Sequence, residues 1–184
     1  AAFTALPAAA AQAADKETPG LDLAGLSQEY FAKGDYEGFY QYLKGLKQEV
    51  SPAGYYYLAL TRQREIDSWK KTKNWEGVYD KGPAYKKDIS ENLKVAQGRL
   101  KDDPELLLNI KYLNWQSARE DDPDSSVGLF NDLVNTARDL ALSPKPLLRV
   151  KAFADEISSL EDKNLARRLY EVYVAKLSGS GLSK

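Results

Sequence analysis

Residues 23–52 read LAGLSQEYFAKGDYEGFYQYLKGLKQEVSP, and this stretch decides the fold. Apolar residues recur at helical spacing through Leu23, Leu26 and Tyr30, so they lie on one face of a helix. We expect this first helix to end near Lys33, because Gly34 follows it.

Gly34 and Asp35 mark a junction between two helices. Glycine adopts the left-handed backbone that ends many helices, and aspartate is a preferred N-cap. The second helix is predicted from about Tyr36 to Glu49. Ser51-Pro52 then starts a third, since proline is tolerated in a first turn.

The rest of the chain keeps the helical period and shows no convincing alternation with period two. Two motifs, Gly82-Pro83 and Ser143-Pro144-Lys145-Pro146, are predicted to break or separate helices. The helix after Asp103-Pro104 is apolar on two sides and should be central. Further helices are predicted at about 52–71, 75–79, 83–100, 104–119, 130–141, 147–160 and 164–177.

The chain contains a related motif twice. Residues 35–40 read DYEGFY, and residues 74–79, an offset of 39, read NWEGVY. Similar junctions are expected near Asp124 and Asn164, at offsets of 50 and 40. Such spacing suits stacked helical hairpins, each burying its apolar face on the next.

The stretch 23–52 resembles a tetratricopeptide repeat, with Leu26, Tyr30, Lys33-Gly34-Asp35-Tyr36-Glu37 and Ser51-Pro52 at that family's spacings. The chain departs from the family at Phe39 and Leu46, where small residues are usual. The resemblance implies an all-α, right-handed α-solenoid of about eight helices, with a concave groove that binds peptides or partner proteins.

The domain organisation follows from composition. Residues 1–14, AAFTALPAAAAQAA, are predicted to be the remnant of a signal peptide, because Ala11-Gln12-Ala13 has the form of a cleavage site. A disordered Ala-rich tail is the alternative. Residues 15–20 read as a linker, 21–177 as the helical-repeat domain and 178–184 as a flexible tail. We therefore expect an exported protein, periplasmic or secreted.

Composition excludes several chemistries. The 184 residues include no His, Cys or Met, which excludes Ser-His-Asp triads, zinc fingers and thiolate nucleophiles. With 26 basic and 27 acidic residues the net charge is −1, so no nucleic-acid partner is expected. No cofactor, no catalytic residue and no metal site is predicted. The acidic clusters at Asp102-Asp103 and Asp121–Asp124 are interpreted as helix caps.

The predicted binding residues are large aromatic or basic side chains. Tyr56 points away from the apolar stripe of its helix and is predicted to line a groove. The tryptophans are candidate anchors, although packing between helices is the favoured explanation for them. For Arg62, Arg64 and Lys71 two interpretations stay open. They either clamp an acidic peptide or form a solvated helix face. The predicted ligand-binding set is Tyr56, Arg64, Trp69, Tyr112 and Trp115, with Trp75 as a further anchor.

These patterns favour a non-catalytic, protein- or peptide-binding scaffold of the cell envelope. No membrane span is expected, because no other apolar run approaches the length of a membrane helix. Two alternatives remain: a carboxylate-based wall-remodelling or carbohydrate-active enzyme, and a structural subunit of an envelope assembly, including a homo-oligomer whose groove holds another copy.

Overall fold

A computed structural model describes residues 21–46, 51–119, 121–140, 143–160 and 162–179. Within these ranges the protein is all-α and contains no strand, as predicted. The helices are α1 Leu23–Ala32, α2 Tyr36–Gly45, α3 Pro52–Lys71, α4 Gly82–Arg99, α5 Pro104–Ala118, α6 Pro123–Asp139, α7 Pro144–Ser159 and α8 Lys163–Gly179, with a π-helical turn at Gly77–Lys81 directly before α4.

Most of the helices begin at a residue whose side chain forms an N-cap. In each case an oxygen of the N-cap residue accepts a hydrogen bond from the backbone N–H three residues later, which satisfies a free donor of the first turn. The capping interpretation of both acidic clusters is confirmed, through Asp103 and Asp122. The caps are Asp22, Asp35, Ser51, Asp103 and Asp122, with donor–acceptor distances of 2.9 to 3.1 Å.

Consecutive helices pack as pairs. α1 packs on α2, α3 on α4, α5 on α6 and α7 on α8. Short connections join all of these pairs except α3 and α4, which are joined by residues 72–81, including the π-helical turn. The odd-numbered helices also contact one another in the order α1, α3, α5, α7. A short connection makes the two helices of a pair antiparallel.

Three apolar clusters lie in succession along the chain, and α5 belongs to two of them. Leu106, Ile110 and Leu113 pack with α3 and α4. Leu108, Tyr112 and Trp115 pack with α6, α7 and α8. The prediction that α5 is central is confirmed, with the same residues on the same two faces. The remaining cluster joins α1, α2 and the start of α3.

The 39-residue repetition in the sequence is matched by backbone geometry. Gly34 has φ +69° and Lys73, 39 positions later, has φ +57°. The N–H of Asp35 donates to the carbonyl of Tyr30 at 3.0 Å, and the N–H of Asn74 donates to that of Trp69 at 2.8 Å. Both helices therefore end in the same left-handed turn, although only the first has glycine at the left-handed residue.

Gly82-Pro83 opens the long helix α4, as predicted, but it does not break the helical segment before it, so that part of the prediction is wrong. Asn74 caps the helical segment as expected, with its Oδ1 accepting from the N–H of Gly77 at 3.1 Å. The backbone then runs from Trp75 through the π-helical turn into α4. Proline lacks an N–H, and in an α-helix its ring meets the carbonyl four residues back. The N–H of Gly82 bonds to the carbonyl of Gly77, five residues back, so the helix is already wider than an α-helix where Pro83 follows.

Two other boundaries differ from prediction. α7 begins at Pro144, so the Ser143–Pro146 motif lies at the start of a helix instead of separating two helices, because a first turn needs no N–H from its prolines. α2 ends at Gly45, since Leu46 is extended. The predicted signal remnant at 1–14, the linker at 15–20 and residues 180–184 of the predicted tail lie outside the described residues. Among the described helices, none is long and apolar enough to cross a bilayer.

Candidate functional site

Three of the five predicted binding residues lie on helices that are neighbours in space. Tyr56 and Arg64 belong to α3, and Tyr112 belongs to α5, which packs between α3 and α7. From α7, Arg149 and Glu156 join them. We call this surface, formed by Tyr56, Arg64, Tyr112, Arg149 and Glu156, the odd-helix face.

The environment of Tyr56 connects α3 to α7. Burial raises the pKa of its hydroxyl, and the neighbouring Tyr57 raises it further. The guanidinium groups of Arg149 and Arg64 act in the opposite direction, because positive charge favours the phenolate. Tyr56 is half-buried, with its polar end within electrostatic range of both arginines and of Glu156.

Tyr112 lies at the centre of the odd-helix face and is almost enclosed. Its ring is 6% exposed and stacks on Phe153 of α7, with 4.1 Å between ring centroids and 6° between planes. Burial raises the pKa of the hydroxyl, and the carboxylate of Glu156 raises it further. Tyr112 Oη is buried without a hydrogen bond of normal geometry to the described residues. The Glu156 carboxylate is the polar group that faces this buried hydroxyl.

An ion-pair network borders the odd-helix face. Glu105 of α5 accepts from Lys145 Nζ at 2.8 Å and from Arg149 Nε at 3.2 Å. Burial acts to raise the pKa of Glu105, but the hydrogen bonds from the two cations prevail and hold it below its usual value. This network fixes α7 against α5 and orients Arg149.

The sequence prediction missed Glu105, Arg149, Phe153 and Glu156. The α7 residues lie at helical spacing on one side of their helix, a pattern visible in the sequence. That pattern does not reveal that α7 packs beside α5, so it could not join these residues to Tyr112.

The other two predicted residues lie elsewhere. Trp115 is 2% exposed and packs against Phe130 of α6, with ring centroids 5.5 Å apart. Its assignment to a groove is therefore corrected: the indole is a core residue. Trp69 stacks on Tyr85 of α4, with centroids 5.2 Å apart, at the end of the α3–α4 pair.

Arg62 neither clamps a ligand nor lies on a solvated face, so both alternatives for this residue are wrong. It is 7% exposed, and its guanidinium lies between the rings of Tyr40 and Tyr85, 3.5 and 4.0 Å from their centroids. Its nitrogens approach three carboxylates, those of Glu37 at 2.7 Å, Glu65 at 3.0 Å and Asp88 at 3.5 Å. Its charge is therefore compensated inside the protein, although Nε makes no hydrogen bond to the described residues.

The two other basic residues of that prediction remain on the surface. Arg64 is exposed, with one long ion pair to Asp67 at 3.9 Å. Lys71 is exposed at the end of α3. Within the described part of the chain, no cluster of three or more acidic side chains is arranged to hold a metal ion.

Comparison with known proteins gives no family to which the chain can be assigned: no family model, curated protein or solved structure matches it significantly.

Proposed function

We propose that this chain is a non-catalytic scaffold of the cell envelope that binds a protein or peptide segment along the odd-helix face. The observation that supports the proposal is the meeting of Tyr56, Arg64 and Tyr112 with Arg149 and Glu156. Three neighbouring helices contribute these side chains, and the charged groups of Arg64, Arg149 and Glu156 lie within electrostatic range of the two tyrosines.

The fold that we propose is a right-handed, TPR-like α-solenoid. Two observations support it: consecutive hairpins whose odd-numbered helices contact in order, and the matched turns at Gly34 and Lys73. In stacked-hairpin proteins the small rotation between repeats creates an extended concave surface. The odd-helix face would line that surface.

The polar groups of the odd-helix face suit an extended polypeptide. Arg149 uses Nε for Glu105, and its remaining nitrogens make no hydrogen bond with the described residues. Arg64 has only its long contact to Asp67. These two guanidinium groups would bind carbonyl or carboxylate oxygens of the partner. Tyr56 would contribute ring area, and the buried Tyr112 would support the face from below.

The envelope location is part of the proposal. It is supported by the uncharged, Ala-rich residues 1–14, in which Ala11-Gln12-Ala13 has the form of a cleavage site.

Charge reversal on the odd-helix face tests the proposal. Peptides are first selected from a random displayed library against the whole chain, and their affinities are measured by calorimetry. We expect the double variant Arg64→Glu/Arg149→Glu to bind the selected peptides at least about tenfold more weakly, because two cations that contact the peptide become repulsive.

The matched control is Lys94→Glu/Arg138→Glu, on the exposed sides of α4 and α6. It makes the same change in net charge, so we expect its affinity to stay within about twofold of the parent. Equal weakening by the two double variants would contradict the proposal, as would a library that yields no peptide.

A further inference from the structure

Helix α8 is apolar on two sides. Leu169 and Val172 are buried in the core. A second row, formed by Ala166, Tyr170 and Val174, recurs at every fourth residue and therefore lies along another side of the helix. Both apolar sides of α5 are covered by other helices, whereas α8 is packed by α6 and α7 on its core side and Val174 stays 56% exposed within the described part of the chain.

The second row lines an open groove of about 500 Å³ beside α7. We call it the α8 groove, and it is formed by Lys163, Ala166, Arg167, Tyr170, Glu171 and Val174. Its floor is held in place, because Tyr170 Oη donates to Asp155 of α7 at 2.5 Å and Lys151 Nζ donates to the same carboxylate at 2.8 Å. The small side chain of Ala166 lets a helix approach closely.

The charges along the α8 groove have a fixed order. Lys163 and Arg167 lie in the first half of α8, and Glu171 follows one turn later. Arg167 Nε donates to Glu171 Oε1 at 2.8 Å, and these side chains are 78% and 54% exposed. An exposed ion pair of this kind contributes little to stability, so its two groups can exchange partners at little cost.

From this arrangement we propose that the α8 groove is a dimer interface, which binds the α8 groove of a second copy with the two helices antiparallel. A two-fold interface joins the same patch on both copies, so the patch must complement itself. With the axis beside the turn between Arg167 and Glu171, the arginine of each copy faces the glutamate of the other. A parallel copy would instead place arginine against arginine and glutamate against glutamate.

The antiparallel orientation also brings the apolar residues together. Tyr170 lies next to the axis. Val174 of each copy meets the end of the other groove that Lys163 and Ala166 form, because these positions lie about equally far from the axis in opposite directions. The net charge of −1 adds no strong repulsion between copies.

The expected dimer is weak. α8 has 17 residues and is about 25 Å long, so two such helices form an interface at the small end of the usual range. We expect a dissociation constant of about 100 μM. The α8 groove shares no residue with the odd-helix face, so each of the two proposals can fail without the other.

Sedimentation equilibrium of the whole chain tests the proposal, at concentrations from about 10 μM to about 1 mM. We expect the average mass to rise from that of one chain towards that of two. Val174→Glu should weaken the dimer at least about tenfold, because it places two carboxylates in an apolar interface. The matched control is Val127→Glu on α6, a valine that is 61% exposed, which should leave the dimer unchanged. Circular dichroism checks that both variants fold.

An exchange of charges tests the antiparallel arrangement. Arg167→Glu alone sets acidic groups against each other between the copies, and Glu171→Arg alone does the same with basic groups. Each should weaken the dimer about fivefold or more. An equimolar mixture of the two variants should recover most of the lost dimer at the same total concentration, because the acidic groups of one chain then face the basic groups of the other. The like charges within each helix are the same in the mixture, so the recovery reports the contact between copies.

Three results would overturn the proposal. One is a chain that stays monomeric up to about 1 mM, which would leave the groove to a different protein or to a lipid surface. Another is a dimer that Val174→Glu weakens no more than Val127→Glu does. The third is a mixture of the charge variants that is no more dimeric than either variant alone.

Discussion

Arg62 shows how a residue with the sequence signature of a surface cation becomes a core residue. Its guanidinium is enclosed by two tyrosine rings and three carboxylates contributed by α2, α3 and α4. Tyr40 Oη also donates to Asp88 at 2.5 Å, so ring and carboxylate are held together. A buried ion pair adds little by itself, but removing one partner leaves the other charge uncompensated.

The variant Arg62→Met should therefore destabilise the protein by about 3–5 kcal/mol. Of the three carboxylates, that of Glu65 is destabilised most, because burial already raises its pKa and the hydrogen bond from Arg62 counteracts this. Urea unfolding followed by circular dichroism measures the change. Arg64→Met, on the exposed side of the same helix, should change the stability by less than about 0.5 kcal/mol. Similar losses for the two variants would refute the role given to Arg62.

Lys73 carries a local conformational cost. Its φ of +57° lies in the left-handed region, which the equivalent turn at Gly34 fills with glycine. Lys73→Gly should stabilise the protein by about 0.5–1 kcal/mol, because only the lysine is strained there. The expected rise in melting temperature is a few degrees at most. Lys71→Gly, inside the last turn of α3, should have the opposite sign, and a loss of stability in both variants would count against the strain.

At the scale of elements, α5 is the helix that connects the two halves of the molecule. Its apolar side chains divide between two clusters, and Glu105 adds an ionic connection to α7. The folded-state pKa of Glu105 is depressed. Its contribution is therefore complete above the unfolded-state pKa and is lost as the pH falls through the lower folded-state value.

Glu105→Gln tests this connection. The parent should be more stable than the variant by about 0.5–1 kcal/mol at about pH 6, where Glu105 is charged in both states. The difference should shrink as the pH falls below 4.5, the ordinary pKa of a glutamate side chain, and through the depressed pKa of Glu105. Melting temperatures across this range measure it. A difference that does not depend on pH would mean that Glu105 acts through packing and not through charge.

The sequence predicted the helices well where caps mark them, and poorly where proline was taken as a break. Ser51-Pro52 and Asp103-Pro104 begin helices as expected, because the N-cap residue and the proline that follows it both act within the first turn. Pro83 begins α4 as expected but does not end the helical segment before it, and Pro144 was wrongly placed outside α7. The first is accommodated by a preceding π turn, and the second occupies a first turn. Neither accommodation is visible in the period of the apolar residues.

At the scale of the whole molecule, the odd-helix face depends on which helices become neighbours. The sequence identified Tyr56 from the side of the helix that it occupies, and Arg64 and Tyr112 as a basic and a large aromatic side chain. It could not add Arg149 and Glu156, because helical period carries no information about the packing of α7 on α5. For the same reason the sequence could not show that α6 covers the face of α5 on which Trp115 lies, so Trp115 was wrongly assigned to a groove.

Chemical-shift mapping by NMR tests the central claim most directly, and a chain of 184 residues suits this method. The labelled protein is titrated with a peptide selected from the displayed library. The account predicts perturbed resonances concentrated on α3, α5 and α7, around Tyr56, Tyr112 and Arg149. Perturbations confined to α4, α6 and α8, or no perturbation at saturating peptide, would contradict it.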